Sequence, residues 1–151
     1  MAKNIFENQV VNEILERLDK LTPSTPQLWG KMNVSQMLAH LNVTYEMTYE
    51  NIHPKPNFFL RFILKSFIKS KVVGEVTYSK NSPTAPAFIV SNDKDFEKEK
   101  SRLIDYLHKT QELGATHFEN KENLSFGVLT SKQWNNLFYK HIDHHFSQFG
   151  V

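Results

Sequence analysis

The chain has 151 residues, 40% hydrophobic and 23% charged, enough apolar side chain for one domain over residues 1–151 with a real core. Eighteen Lys and Arg against sixteen Asp and Glu leave a net charge of +2, too small to call for a polyanionic partner, so nucleic acid is set aside. No cysteine is present, which excludes disulfides, thiolate metal centres and a protein thiol nucleophile; any thiol chemistry must come from a bound molecule.

The N-terminus, Met-Ala-Lys-Asn-Ile-Phe-Glu-Asn, has no long apolar stretch with a small-residue cleavage site, so a cytoplasmic location is the default expectation. From Asn4 to Leu21 the apolar residues Phe6, Val10, Val11, Ile14, Leu15, Leu18 and Leu21 recur at three- and four-residue spacing, which predicts a first helix. Pro23 and Pro26 end it, because each lacks an amide donor and pushes its predecessor out of helical geometry. Asn33 and Gln36 then form a capping-box pattern, and a second helix is expected from Val34 to about Glu50. Its inward stripe is Val34, Met37, Leu38, Leu41, Tyr45 and Thr48, with His40 on that same side.

After His53-Pro54-Lys55-Pro56, the apolar residues Phe58, Phe59, Phe62, Ile63, Phe67 and Ile68 are interleaved with Arg61, Lys65 and Lys69. The basic residues, spaced by four, share one face of an additional helix. The charges would be costly in a bilayer centre and the apolar run is too short to span, so stable membrane insertion is not expected. The ordinary reading packs these aromatics over the mouth of the other helices or at a homodimer interface, with the lysines reaching for water. The sharper one lays segment 57–71 on an anionic lipid surface or a partner helix, which would make the chain a non-catalytic binding module.

Residues 73–90, with Pro83 and Pro86 and little periodicity, read as a long connection in which Val76-Thr77-Tyr78 and Phe88-Ile89-Val90 have the composition of short extended pieces. An amphipathic helix with Phe96, Leu103, Leu107 and Leu113 follows, ending near Gly114. A polar stretch leads to Leu129. A second capping box at Thr130 and Gln133 then opens a last helix that carries Trp134, Leu137, Phe138, His141 and His145 and ends near Phe149. Four such helices imply an all-α fold, a four-helix bundle with the aromatic and basic helix added between its second and third members.

Seven histidines lie at 40, 53, 108, 117, 141, 144 and 145. His141 and His145 are four apart, so their rings project from one helical face and can reach one metal ion. They extend the Trp134-Leu137-Phe138 stripe inward, where an imidazole without a partner costs a few kcal/mol. If the second and last helices pack together, His40 joins them, and three imidazoles leave an open coordination position. Buried histidines more often only hydrogen-bond, which is the competing reading. His144 is a reserve ligand or a surface residue; His53, His108 and His117 are expected on the solvated surface. Gln36 and Thr44 lie a turn either side of His40, and Gln148 lies three after His145, so these three are candidates to orient the rings or a substrate. Tyr45 and Tyr49 read as core. The five dispersed glycines offer no phosphate or dinucleotide fingerprint, and no Gly-x-Ser-x-Gly elbow occurs.

Two stretches, Trp29-Gly30-Lys31-Met32-Asn33-Val34-Ser35-Gln36-Met37-Leu38-Ala39-His40 and Tyr139-Lys140-His141-Ile142-Asp143-His144-His145-Phe146-Ser147-Gln148-Phe149-Gly150, resemble the signatures of the DinB-like superfamily, in a branch of unknown function. The resemblance runs from the first helix to the C-terminus. It implies a four-helix bundle whose metal is held by one histidine of the second helix and an H-x-x-x-H pair of the last, here His40, His141 and His145. It implies a metalloenzyme acting on a small-molecule substrate, as a transferase or isomerase that uses a low-molecular-weight thiol or as a hydrolase; zinc is the first choice of divalent metal and nickel the second. Such relatives often carry a histidine and a proline before the Phe-Gly ahead of the last helix. Here the stretch is Asn123-Leu124-Ser125-Phe126-Gly127, so any role of that histidine is vacant.

Overall fold

The computed structural model describes residues 2–151. Helix α1 (Asn8–Leu18) turns Val10, Val11, Ile14 and Leu18 into the core; it is shorter than the apolar stripe predicts, because Asn4 to Glu7 form a turn in which the Glu7 amide donates to the Asn4 carbonyl. Helix α2 (Val34–Tyr49) begins with the expected reciprocal cap. The Gln36 amide donates to Asn33 Oδ1 at 2.9 Å, and the Asn33 amide donates to Gln36 Oε1 at 3.0 Å.

The additional segment is helical but broken into α3 (Phe58–Ile63), a π turn (Leu64–Ile68) and α4 (Lys69–Val73). Residues 74–95 then run mostly without regular structure. Their one helical piece is a 3-10 turn at Pro86–Phe88; neither extended piece expected at 76–78 or 88–90 forms. Helix α5 (Phe96–Phe118) is interrupted at Gly114, whose φ of 69° leaves the helical region. The break thus falls where the sequence places the helix end, and one more turn follows to bury Phe118. The stretch read as merely polar holds a small antiparallel hairpin, β1 (Lys121–Asn123) with β2 (Gly127–Leu129), in which Glu122 pairs with Val128. Helix α6 (Ser131–Gln148) carries the second capping box on Thr130 and Gln133.

The fold is therefore mostly helical, as expected of an all-α chain. Helix α2 packs along α5, α6 packs on both, and α1 lies on α5. Their shared core includes Leu38, Leu41, Leu103, Leu107, Phe138 and Phe146, each essentially inaccessible to solvent. Aromatic rings bridge the helices: Tyr45 stacks on Phe138 at 5.0 Å and on Tyr106 at 5.3 Å. Tyr45 thus sits in the core, while Tyr49 is partly buried and packed against it. On the outside of α6, Arg17 donates to Asp143 at 2.8 Å and to the Val151 carbonyl at 2.9 Å, tying α1 to the C-terminal end. Among the described residues no helix is long and apolar enough to cross a membrane.

Candidate metal centre

The packing of α2 against α6 brings together three of the seven histidines. His40, from the middle of α2, meets His141 and His145 from successive turns of α6, with ring centroids 4.6 to 5.0 Å apart. One ligand nitrogen from each lies within 4.8 Å of the others. His40 and His145 are buried and His141 is partly exposed.

The partners of the outer ring nitrogens decide what the inner ones can do. The only hydrogen-bonding role open to the Phe88 carbonyl is acceptance, so His40 Nδ1, 2.8 Å away, carries a proton. His145 Nδ1 donates to Gln148 Oε1 at 2.7 Å, and the amide is oriented by its own Nε2, which donates to the Trp29 carbonyl at 2.7 Å. Both rings therefore present a bare Nε2 lone pair inward. His141 Nδ1 lies 2.9 Å from Thr44 Oγ1, which can accept or donate. When it accepts, the third Nε2 is also bare, and the His40 and His141 Nε2 atoms, 2.8 Å apart, would set two lone pairs against each other unless a cation lies between them. When the hydroxyl donates, His141 takes the other tautomer and its Nε2–H donates to His40.

Burial holds all three imidazoles neutral. It lowers His40, sends His141 well below the usual histidine range with help from its histidine neighbours, and brings His145 down to about 3. Neutral imidazoles with hydrogen-bonded outer nitrogens are the form in which histidine ligates metals. A tetrahedral zinc with bonds of about 2.0–2.1 Å keeps two nitrogens roughly 3.4 Å apart. The His40 and His141 nitrogens, 2.8 Å apart, stand about 0.6 Å inside that separation, and all three ligand nitrogens lie within 4.8 Å of one another. The donor set fits a borderline-soft divalent ion.

The sequence-selected neighbours divide. Thr44 and Gln148 touch ligand rings. Gln36 does not; its side chain is used in the cap of α2, and its Nε2 reaches the Asn92 carbonyl at 3.5 Å. His144 is partly buried between the Trp29 and Tyr78 rings, so it is not a free surface residue, and it lies outside the three-nitrogen cluster. His108 and His117 are exposed. His53 departs from expectation: it is partly buried and bonded to Glu46 at 2.7 Å, because the chain turns back along α2 after Tyr49.

Three contributors carried no usable signal in the sequence. The Phe88 carbonyl orients His40, and the Phe88 ring packs edge-on against His40 and His141 at 5.5 and 6.0 Å. Tyr78 covers His141 and His144 from the same connection. Gly30 is the third. At φ +84° it lets the chain pass so close to Gln148 that a Cβ there would fall 2.5 Å from Nε2.

No curated protein and no solved structure matches the chain. A family model described as protein of unknown function (DUF1569) matches residues 3–150, nearly the whole chain, and the protein belongs to that family.

Proposed function

We propose that this protein is a metal-dependent enzyme, a DinB-like four-helix bundle of α1, α2, α5 and α6 that holds one divalent ion on His40, His141 and His145. The observation that supports it most is the convergence of three neutral imidazoles whose outer nitrogens are fixed by Phe88, Thr44 and Gln148. Zinc is the first candidate and nickel the second. His40, His141 and His145 would hold the ion through their inner nitrogens, and the chemistry it would supply there is to lower the pKa of a water or thiol toward neutrality.

The chain's own residues do the rest. The Phe88 carbonyl, Thr44 and Gln148 hold the three rings in register, so ligand geometry costs little reorganisation. The Phe88 and Tyr78 rings pack against the histidines, and the partly exposed His141 is the ligand a small molecule would reach first. With no cysteine in the chain, a thiol nucleophile has to arrive as a low-molecular-weight cosubstrate. The DinB-like resemblance implies the reaction class: a thiol-dependent transfer to a small electrophile, or hydrolysis of a small substrate.

The test is turnover by metal-depleted protein reloaded with zinc or nickel, assayed with low-molecular-weight thiols plus electrophiles and, separately, with esters and amides. Turnover that requires the metal and disappears in His40→Ala is the expected result. Stoichiometric metal binding with no turnover in either panel would make the site structural and overturn the enzymatic reading.

A further inference from the structure

The overall charge of +2 conceals a division. Five of the 18 Lys and Arg, at 55, 61, 65, 69 and 71, lie between Asn51 and Gly74, where there is no Asp or Glu; the other 13 are outnumbered by all 16 acidic residues. The same stretch carries the largest exposed apolar side chains of the molecule. Phe58 is 89% exposed, Phe59 71%, Phe67 66% and Phe62 59%, with Leu60 and Ile68 beside them. The aromatics expected to pack over the other helices do not do so. Single exposed hydrophobics need no explanation, but a contiguous set of four phenylalanines does.

The segment is nevertheless firmly seated, from its C-terminal end. Val73 is buried, and Leu64 and Val72 pack on the core. The Lys140 ammonium donates to the carbonyls of Lys71, Val72 and Gly74, and Asn136 donates to that of Val73. The row of basic residues faces the hairpin, where Arg61 pairs with Glu122 and Lys69 donates to the Val128 carbonyl at 3.3 Å. The π turn underwinds the helix around Phe67. The result is a rigidly mounted apolar face with a cationic border.

We propose that α3, the π turn and α4 form a docking surface for an anionic lipid bilayer, with Phe58, Phe59, Phe62 and Phe67 entering the headgroup boundary and the exposed Lys65 and Lys71 meeting acidic headgroups. Charge decides between this occupant and a second copy of the chain. A two-fold contact through the segment would set its basic residues against themselves, with Glu122 already shared by Lys55 and Arg61. Phosphatidylserine or another acidic lipid supplies the missing negative charge and also accepts the phenylalanines.

The experiment is co-sedimentation of the full chain with vesicles of phosphatidylcholine alone and of phosphatidylcholine mixed with phosphatidylserine, with sizing of the lipid-free protein at several concentrations. The expected result is retention on the anionic vesicles only, abolished by roughly 0.5 M salt. The pair Lys65→Ala and Lys71→Ala should lower partitioning about 30-fold, from about 1 kcal/mol for each cation. Phe59→Ser with Phe67→Ser should lower it further while leaving the helical circular dichroism unchanged, since both side chains are outside the core. No retention on anionic vesicles, retention indifferent to charge and salt, or a concentration-dependent dimer broken by the phenylalanine variants would each overturn the proposal.

Discussion

The histidine cluster between α2 and α6 and the segment from Phe58 to Val73 depart from ordinary burial in opposite directions. At the first, the imidazoles of His40 and His145 are buried and kept neutral; at the second, four phenylalanine rings stand in water on a well-anchored helix. A buried polar group is tolerated when something satisfies it, and an exposed apolar patch persists when something covers it. In the cluster the chain supplies partners for the outer nitrogens and leaves the inner ones converging. In the segment it supplies anchoring for the backbone and leaves the side chains bare. Under the two proposals, each region is complete except on the side that would face a partner, a cation in one case and a lipid surface in the other.

The largest effect that separates the two regions is on metal binding. His141→Ala or His145→Ala should abolish uptake of zinc, whereas Phe59→Ser should leave it unchanged; calorimetric titration reads both. Excess metal should also stabilise the unmodified protein by about 2.7 kcal/mol at a hundred times the Kd, seen as a rise in Tm that the histidine variants lack. Stability draws the same line from the other side. Phe138→Ala in the core should cost about 3–5 kcal/mol in urea denaturation, while Phe59→Ser should change stability by less than about 0.5 kcal/mol.

Acid sharpens the contrast further. In metal-free protein the folded imidazoles stay neutral below the pH at which unfolded histidine titrates, near 6.5, and His141 and His145 well below it. The unfolded state therefore binds more protons across that window, and stability falls as pH drops below about 6.5. For His145 the loss continues toward its folded value of about 3, at a slope approaching 1.4 kcal/mol per pH unit. Denaturation midpoints measured from pH 8 to pH 4 should show this loss, and His145→Gln should flatten it. A midpoint that rose on acidification would contradict the neutral, buried cluster.

Smaller effects belong to the residues behind the ligands. Thr44→Val and Gln148→Ala should each weaken metal binding about 10–100-fold without removing a ligand. Gln36→Ala should cost about 1 kcal/mol of stability through the lost cap and leave metal affinity alone. Competition with a chelator of known affinity distinguishes the two patterns.

The reach of the sequence can be judged from these same residues. Helical spacing alone selects His40, His141 and His145, because a stripe that buries Met37 and Leu41 on α2 and Trp134 and Phe138 on α6 turns the histidines to the same side. Thr44 and Gln148 follow from the same spacing. Gln36 follows from it too, yet lies away from the rings, because its side chain closes the cap of α2, the competing use that the capping-box pattern signals. The Phe88 carbonyl was beyond reach because a backbone acceptor in an irregular connection has no residue-type signature. The hairpin escaped because strands of three residues, Lys121–Asn123 and Gly127–Leu129, are too short to alternate visibly. The exposure of Phe58 to Phe67 was illegible for a different reason. Amphipathic spacing reports that a helix has an apolar side, and says nothing of whether the molecule itself or an external surface covers it.

The central claim, that His40, His141 and His145 form one metal centre, is tested most directly by the metal content of protein purified without a histidine tag, measured by plasma mass spectrometry beside His40→Ala and His141→Ala. The account predicts close to one divalent ion per chain, retained or readily taken up as zinc or nickel, and lost in both variants. Protein that is metal-free and fails to take up either ion on titration would contradict it.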